Sequence, residues 1–225
     1  MKNSQNNPGS IFNPWRCCLP ILILSHAVGT LNVVSVMVMA PVIRGEFSLS
    51  AALFGTFVSA YYGAQAIGSL PAGSISDRFG ISCALLISHL MMLIGALIVA
   101  LAPDYTVSVV GMVFMGLGYS LTNPSTARGV LVWFPVERRG LAMGLKQVGV
   151  PLGGVLAAVN GGLAAFIHWQ LLMYGVAALI AINGILCMSL FRYENHVVQM
   201  VRPSPFATIG EVLRDKNFSI YTVLC

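Results

Sequence analysis

The chain has 225 residues, 57% of them hydrophobic and 8% charged, with a formal charge of +5 and a mean hydropathy of +0.83. Soluble domains carry roughly 25% charged residues, so a soluble globular protein is excluded. Long uncharged runs also exclude the ~10-residue alternating strands of an outer-membrane barrel, which leaves an all-α membrane protein.

Six transmembrane helices can be drawn along the chain. A polar tail, 1–16, contains Lys2 and Arg16 and has no clear small-residue cleavage site. The first span covers 17–40 and is closed by Pro41; the second covers 50–70 and is closed by Pro71. The third covers 81–101 and ends at Ala102-Pro103-Asp104. A fourth, 105–133, holds Pro124 in its interior, a fifth, 140–166, holds Pro151, and the sixth runs over 169–191. Together they make a bundle over 17–192. The polar segment 193–217, with Pro203 and Pro205, reads as a cytoplasmic connector. The apolar run 218–225 reads as the start of a seventh helix, so the chain is expected to be a fragment or truncated product.

Basic residues set the orientation, because positive charge is retained on the cytoplasmic side. With the N-terminus inside, Lys2, Arg16, Arg78, Arg128, Arg138, Arg139, Lys146, Arg192, Arg202, Arg214 and Lys216 all fall on cytoplasmic segments or span ends, and Arg44 alone falls outside. The asymmetry supports a multi-pass protein of the cell (inner) membrane and removes the need for a nucleic-acid partner. Five cysteines, odd in number and scattered, outline neither a disulfide frame nor a metal site, and no cofactor motif is visible.

Several polar residues lie at membrane depth. Lys146, Gly149, Gly153, Ala157 and Asn160 share one helical face by steps of three and four. The spacings Gly140 to Gly144 and Gly149 to Gly153 are of the kind that lets helices approach closely. Pro124 and Pro151 remove backbone hydrogen bonds and bend their helices. Arg128 has no acid partner within its own helix; with Lys146 it makes an acid-free positive pair that an anionic solute would neutralise, the other reading being snorkelling to lipid phosphates. Asn32 shares a face with Ser25 and Gly29, and Tyr61 with Gln65; each set suits either solute binding or interhelical hydrogen bonding. His26 and His89 read as packing residues.

Between the second and third spans stands Gly73-Ser74-Ile75-Ser76-Asp77-Arg78-Phe79-Gly80, a charged, glycine-flanked turn. This turn, the span pattern and the glycine-rich fifth span resemble the N-terminal half of the major facilitator superfamily, whose loop reads G-x-L-a-D-r-x-G-r-k. Gly73, Ile75, Asp77, Arg78 and Gly80 match, while Ile81 and Ser82 stand where two basic residues are expected. The run from Asn123-Pro124-Ser125-Thr126-Ala127-Arg128 through Arg139-Gly140 to Lys146-Gln147-Val148-Gly149-Val150-Pro151 is similar to cyanate-permease-like and organic-anion members. Met112 lies near the place of an arginine common in other members.

The resemblance implies half of a twelve-helix fold that transports by alternating access, spans one and four lining a cavity. It implies a small, anionic solute as partner, and a missing C-terminal half or a second copy to complete the cycle. Substrate contacts are expected from Arg128, Lys146, Asn32, Tyr61, Gln65 and Asn160. Gly73, Asp77, Arg78, Gly80 and Arg139 are expected to form a cytoplasmic gate, Asp77 sitting against a helix N-terminus of the facing half and pairing with Arg138 or Arg139. A membrane enzyme is disfavoured by the absence of a Gly-x-Ser-Gly turn, a His-Glu-x-x-His motif or paired acids within a span. A channel is disfavoured because Asn123-Pro124 has no counterpart at membrane depth. A non-transporting six-helix remnant or regulatory protein is the alternative.

Overall fold

A computed structural model describes residues 13–194; the polar tail before residue 13, and the connector and apolar start from 195 onward, lie outside the described residues. Every element among them is helical: α1 (Pro14–Cys17), α2 (Leu19–Val38), α3 (Ala40–Glu46), α4 (Ala51–Phe79), α5 (Ile81–Leu101), α6 (Tyr105–Ser120), α7 (Thr122–Trp133), a 3-10 turn (Val136–Arg138), α8 (Arg139–Gln147), α9 (Gly149–Leu163), α10 (Trp169–Met188) and α11 (Phe191–Glu194). Counted across short interruptions, five runs are long and apolar enough to cross a membrane: Pro14–Val38, Ile81–Leu101, Tyr105–Trp133, Val136–Leu163 and Trp169–Glu194. The expected second span is α4, whose 29 residues exceed the ~20 that a bilayer core needs. Tyr61, Tyr62, Gln65 and several serines dilute its hydropathy.

Four of the interruptions share one cause. Cys18, Met39, Leu121 and Val148 separate α1/α2, α2/α3, α6/α7 and α8/α9, and each stands two or three residues before a proline: Pro20, Pro41, Pro124 and Pro151. Proline has no N–H and its ring crowds the carbonyl four residues back, so the preceding turn must adjust. At Leu121 and Val148 the N–H groups turn to carbonyls three residues back, Gly118 at 3.3 Å and Leu145 at 3.2 Å. Pro71 behaves differently from expectation: it does not close the second span, because α4 runs unbroken through it to Phe79. The loop of eight residues thereby shrinks to Gly80, whose φ of +88° suits a residue without Cβ.

Two glycine seams bring the backbones together. Gly95 on α5 and Gly111 on α6 face one another, a Cβ on either meeting the other's carbonyl oxygen at 2.7–2.8 Å. On α9, a Cβ at Gly149 would strike the carbonyl of Ile23, and one at Gly153 that of Ala27. The second expected glycine pair does not act this way: Gly140 and Gly144 face open space. Ala157 continues the α9 stripe at 0% exposure, and Asn160 ends it by donating from Nδ2 to Ser35 Oγ at 2.9 Å. α10 closes the other side of α2, where Asn183 Nδ2 donates to Ser25 Oγ at 3.0 Å and lies 2.8 Å from His89 Nε2 of α5. Ser25, Asn183 and His89 are all buried, so this polar clamp joins three helices inside the bundle.

Gly153→Ala should lower the melting temperature of the detergent-solubilised protein, by about 1–3 kcal/mol of overpacking strain, whereas Gly144→Ala should leave it unchanged. Equal melting temperatures for the two variants would contradict the α2–α9 seam.

Candidate functional site

Lys146 ends up where the two prolyl interruptions meet. It lies two residues before Val148, and Asn123 lies two residues after Leu121, so the kinked ends of α8 and α7 bring both side chains against α2. The α9 seam presses this region onto His26: the Gly149 position sits 2.8 Å from His26 Cβ, measured to where a Cβ would be. Lys146 is 3% exposed. Its Nζ donates to Asn123 Oδ1 at 2.9 Å and to Thr126 Oγ1 at 3.1 Å, and lies 3.4 Å from His26 Nε2. Thr126 Oγ1 is 3.0 Å from His26 Nε2 and has its own proton directed to the Thr122 carbonyl at 2.8 Å. Tyr119 of α6 packs edge-on to His26, with ring centroids 6.3 Å apart, in the space that Gly29 leaves free. Its hydroxyl reaches Thr30 Oγ1 at 3.4 Å.

The chemistry of this cluster follows from what surrounds the ammonium: an amide oxygen and a hydroxyl that accept from it, an imidazole alongside, and no carboxylate among the described residues. A buried cation is ordinarily paired with a carboxylate. Among the described residues the carboxylates Glu46, Asp77, Asp104, Glu137 and Glu194 all stand at helix ends or between helices. The site is therefore a buried positive charge among polar side chains, bordered on one side by the exposed Asn123.

Arg128 departs from expectation. It does have an acid partner: its Nη1 lies 2.9 Å from Asp77 Oδ1 and donates to the Ser76 carbonyl at 2.5 Å. Of the expected acid-free pair, Lys146 alone lacks a carboxylate partner among the described residues, and Arg128 pairs with Asp77 of the Gly73–Gly80 segment. Arg139, expected to pair with Asp77, instead donates from Nε to the Phe134 carbonyl at 3.2 Å and from Nη2 to that of Leu131 at 2.6 Å, closing the C-terminal end of α7. Arg78 lies over the Phe79 ring, 5.6 Å from its centroid, and Gly73 faces open space. At Gly80 a Cβ would collide with the Glu194 carboxylate, which accepts from the backbone N–H groups of Ile81 and of Ser82, the latter at 2.9 Å. The positions that lack the family's basic residues are held through their backbone instead.

The remaining expected residues do not converge on Lys146. Asn32 is buried two turns along α2 from Ser25, and neither of its amide atoms has a hydrogen-bond partner. Tyr61 is buried along the α4–α6 seam, its backbone against Gly116. Its hydroxyl and Gln65 Oε1 one turn on are both unpartnered. Asn160 is engaged by Ser35. His26, Asn123 and Thr126 were the members that residue-type reasoning passed over. The available signal was the run from Asn123 to Arg128, read for its proline and arginine and not for its amide and hydroxyl.

Comparison with known proteins supplies the context. The family model described as Major Facilitator Superfamily matches residues 22–225. The Hexuronate transporter of Bacillus subtilis (strain 168) is 26% identical over 156 residues, 68% of this chain and 37% of the relative. The Probable sulfoacetate transporter SauU of Cupriavidus necator is 27% identical over 157 residues, 66% of this chain and 36% of the relative. Among solved structures, a bacterial homolog of the human lysosomal transporter Spinster, inward-facing and occupied, superposes with a TM-score of 0.65 at 22% identity, covering 81% of this chain and 44% of that one. The chain thus spans less than half the length of these proteins.

A buried ammonium costs roughly 2.5–3.5 kcal/mol at membrane depth. Lys146→Met should therefore melt at or above the wild-type temperature. A drop of several degrees would show that the hydrogen bonds to Asn123 and Thr126 outweigh that cost.

Proposed function

Because this chain belongs to the major facilitator superfamily, a family of transporters and not enzymes, we propose that it forms the N-terminal half of a secondary transporter of the cell membrane carrying a small organic or inorganic anion. One observation carries the anion assignment: the ammonium of Lys146 is buried at 3% exposure among neutral groups. In a medium of low dielectric, a bound anion gains far more from that charge than it would in water. A cationic solute would meet an unscreened like charge, and a neutral one would leave the ammonium without a counter-charge. That the hexuronate and sulfoacetate transporters are named for anions agrees with this reading.

Transport then follows from the family's geometry. The solute binds between this half and a second one, either a C-terminal half or another copy, and one half rocks against the other. Lys146 holds the anionic group. Asp77 and Arg128 tie the cytoplasmic end of α4 to α7, a contact suited to a gate because both side chains are partly exposed, 49% and 27%, and exchange partners at little cost.

Uptake by cells expressing the complete gene tests this, with labelled sulfoacetate, glucuronate, cyanate and a neutral hexose as solutes. At least one anion should accumulate, the hexose should not, and Lys146→Gln should reduce anion uptake at least about tenfold, the equivalent of 1.4 kcal/mol of lost binding. Hexose uptake, or anion uptake untouched by Lys146→Gln, would overturn the anion assignment.

A further inference from the structure

On the reading that Lys146 receives the solute's anionic group, we propose that the Asn123 carboxamide is a tethered stand-in for that group, holding the ammonium while the site is empty and yielding its place when the anion arrives. An ammonium has three N–H donors and no acceptor. In this structure Asn123 Oδ1 at 2.9 Å and Thr126 Oγ1 at 3.1 Å accept two of them, and the His26 ring, with Nε2 at 3.4 Å, occupies the third side. A further acceptor can reach Nζ at hydrogen-bond distance when one of them leaves.

The three are not equally free to leave. Thr126 is 0% exposed and His26 2% exposed. Thr126 is further bound to the Thr122 carbonyl, and His26 is wedged between Tyr119 and the α9 backbone. They form the closed floor of the site. Asn123 is exposed, stands in the first turn of α7 just past the Leu121 interruption and is followed by Pro124. An anion entering from that exposed side meets it first.

The chemistry fits the exchange. A carboxamide presents the acceptor oxygen of a carboxylate at the same reach but without its charge. It can satisfy the ammonium's hydrogen bond and leave its charge uncompensated, and a carboxylate or sulfonate competes it off through a charge-assisted bond. Solute affinity is then the difference between two occupants of one position, and Asn123 sets its level. The empty carrier never holds a bare ammonium, which spares it the penalty of an unsatisfied buried donor.

Two substitutions separate this role from others, because Asn123→Ala removes the competitor and Asn123→Asp makes it permanent. In isothermal titration of the protein in nanodiscs with sulfoacetate and with glucuronate, Asn123→Ala should bind whichever anion the wild type binds about tenfold more tightly, and Asn123→Asp at least about tenfold more weakly. Weaker binding by the alanine variant would make Asn123 a solute ligand, and unchanged binding would make it a bystander; either overturns the proposal. Retained binding by Lys146→Gln is the separate result that defeats the anion reading itself. A ligand-free readout stands beside these: Asn123→Asp should raise the melting temperature, since it gives Lys146 a counter-charge, and Asn123→Ala should lower it. A fall in the aspartate variant overturns the stand-in role even where neither probe binds.

Discussion

The position of Lys146 depends on the backbone contact between α9 and α2. Gly149 and Gly153 lie against the carbonyls of Ile23 and Ala27 with no room for a Cβ, and Lys146 stands one turn before the first of them. With ordinary side chains at these glycines the two helices would stand farther apart, and the lysine stem would have the slack to snorkel toward the membrane surface. Close approach removes that slack. The ammonium is delivered instead to the groove between α2 and α7, where Thr126 and His26 already face each other.

Consecutive residues of α2 serve opposite ends. Ser25 points to Asn183 and thence to His89, a clamp of three helices whose hydrogen bonds take the place of the packing that small polar residues cannot supply. His26 points the other way, to Lys146 and Thr126. The first network is neutral and bonded helix to helix. The second contains a charge with no carboxylate beside it, an imbalance at membrane depth that helix-to-helix bonding alone does not require.

The six-span pattern, the helical class and the fifth-span stripe were legible in the amino-acid sequence because hydropathy and small-residue periodicity act locally along one helix. What was not legible depended on a partner helix. Gly149 to Gly153 and Gly140 to Gly144 have the same spacing, yet the first pair alone meets a neighbour, since α8 turns Ala142 and Lys146 inward and leaves its glycines on the open side. Arg128 looked unpaired because its carboxylate, Asp77, is supplied from another helix 51 positions away in the chain. Pro71 was read as a stop by the usual rule, and α4 continues through it because that residue is exposed at the bundle edge, where a missing N–H meets no packing demand.

Acid placement carries the last step. The carboxylates among the described residues sit at helix ends or between helices, and four of them have partners there: Asp77 pairs with Arg128, Glu46 takes hydrogen bonds from the Trp169 and Gln170 side chains, Asp104 caps α6 through Val107, and Glu194 caps α5. Each of these charges is balanced where it stands. Lys146 is the exception, and the two neutral side chains nearest to it come from α7, just beyond a proline-induced interruption. A helix without that interruption would aim Asn123 along a continuous ladder and away from the groove. The proline therefore does more than bend the span, for it stands beside the replaceable acceptor of a buried ammonium that has no carboxylate against it.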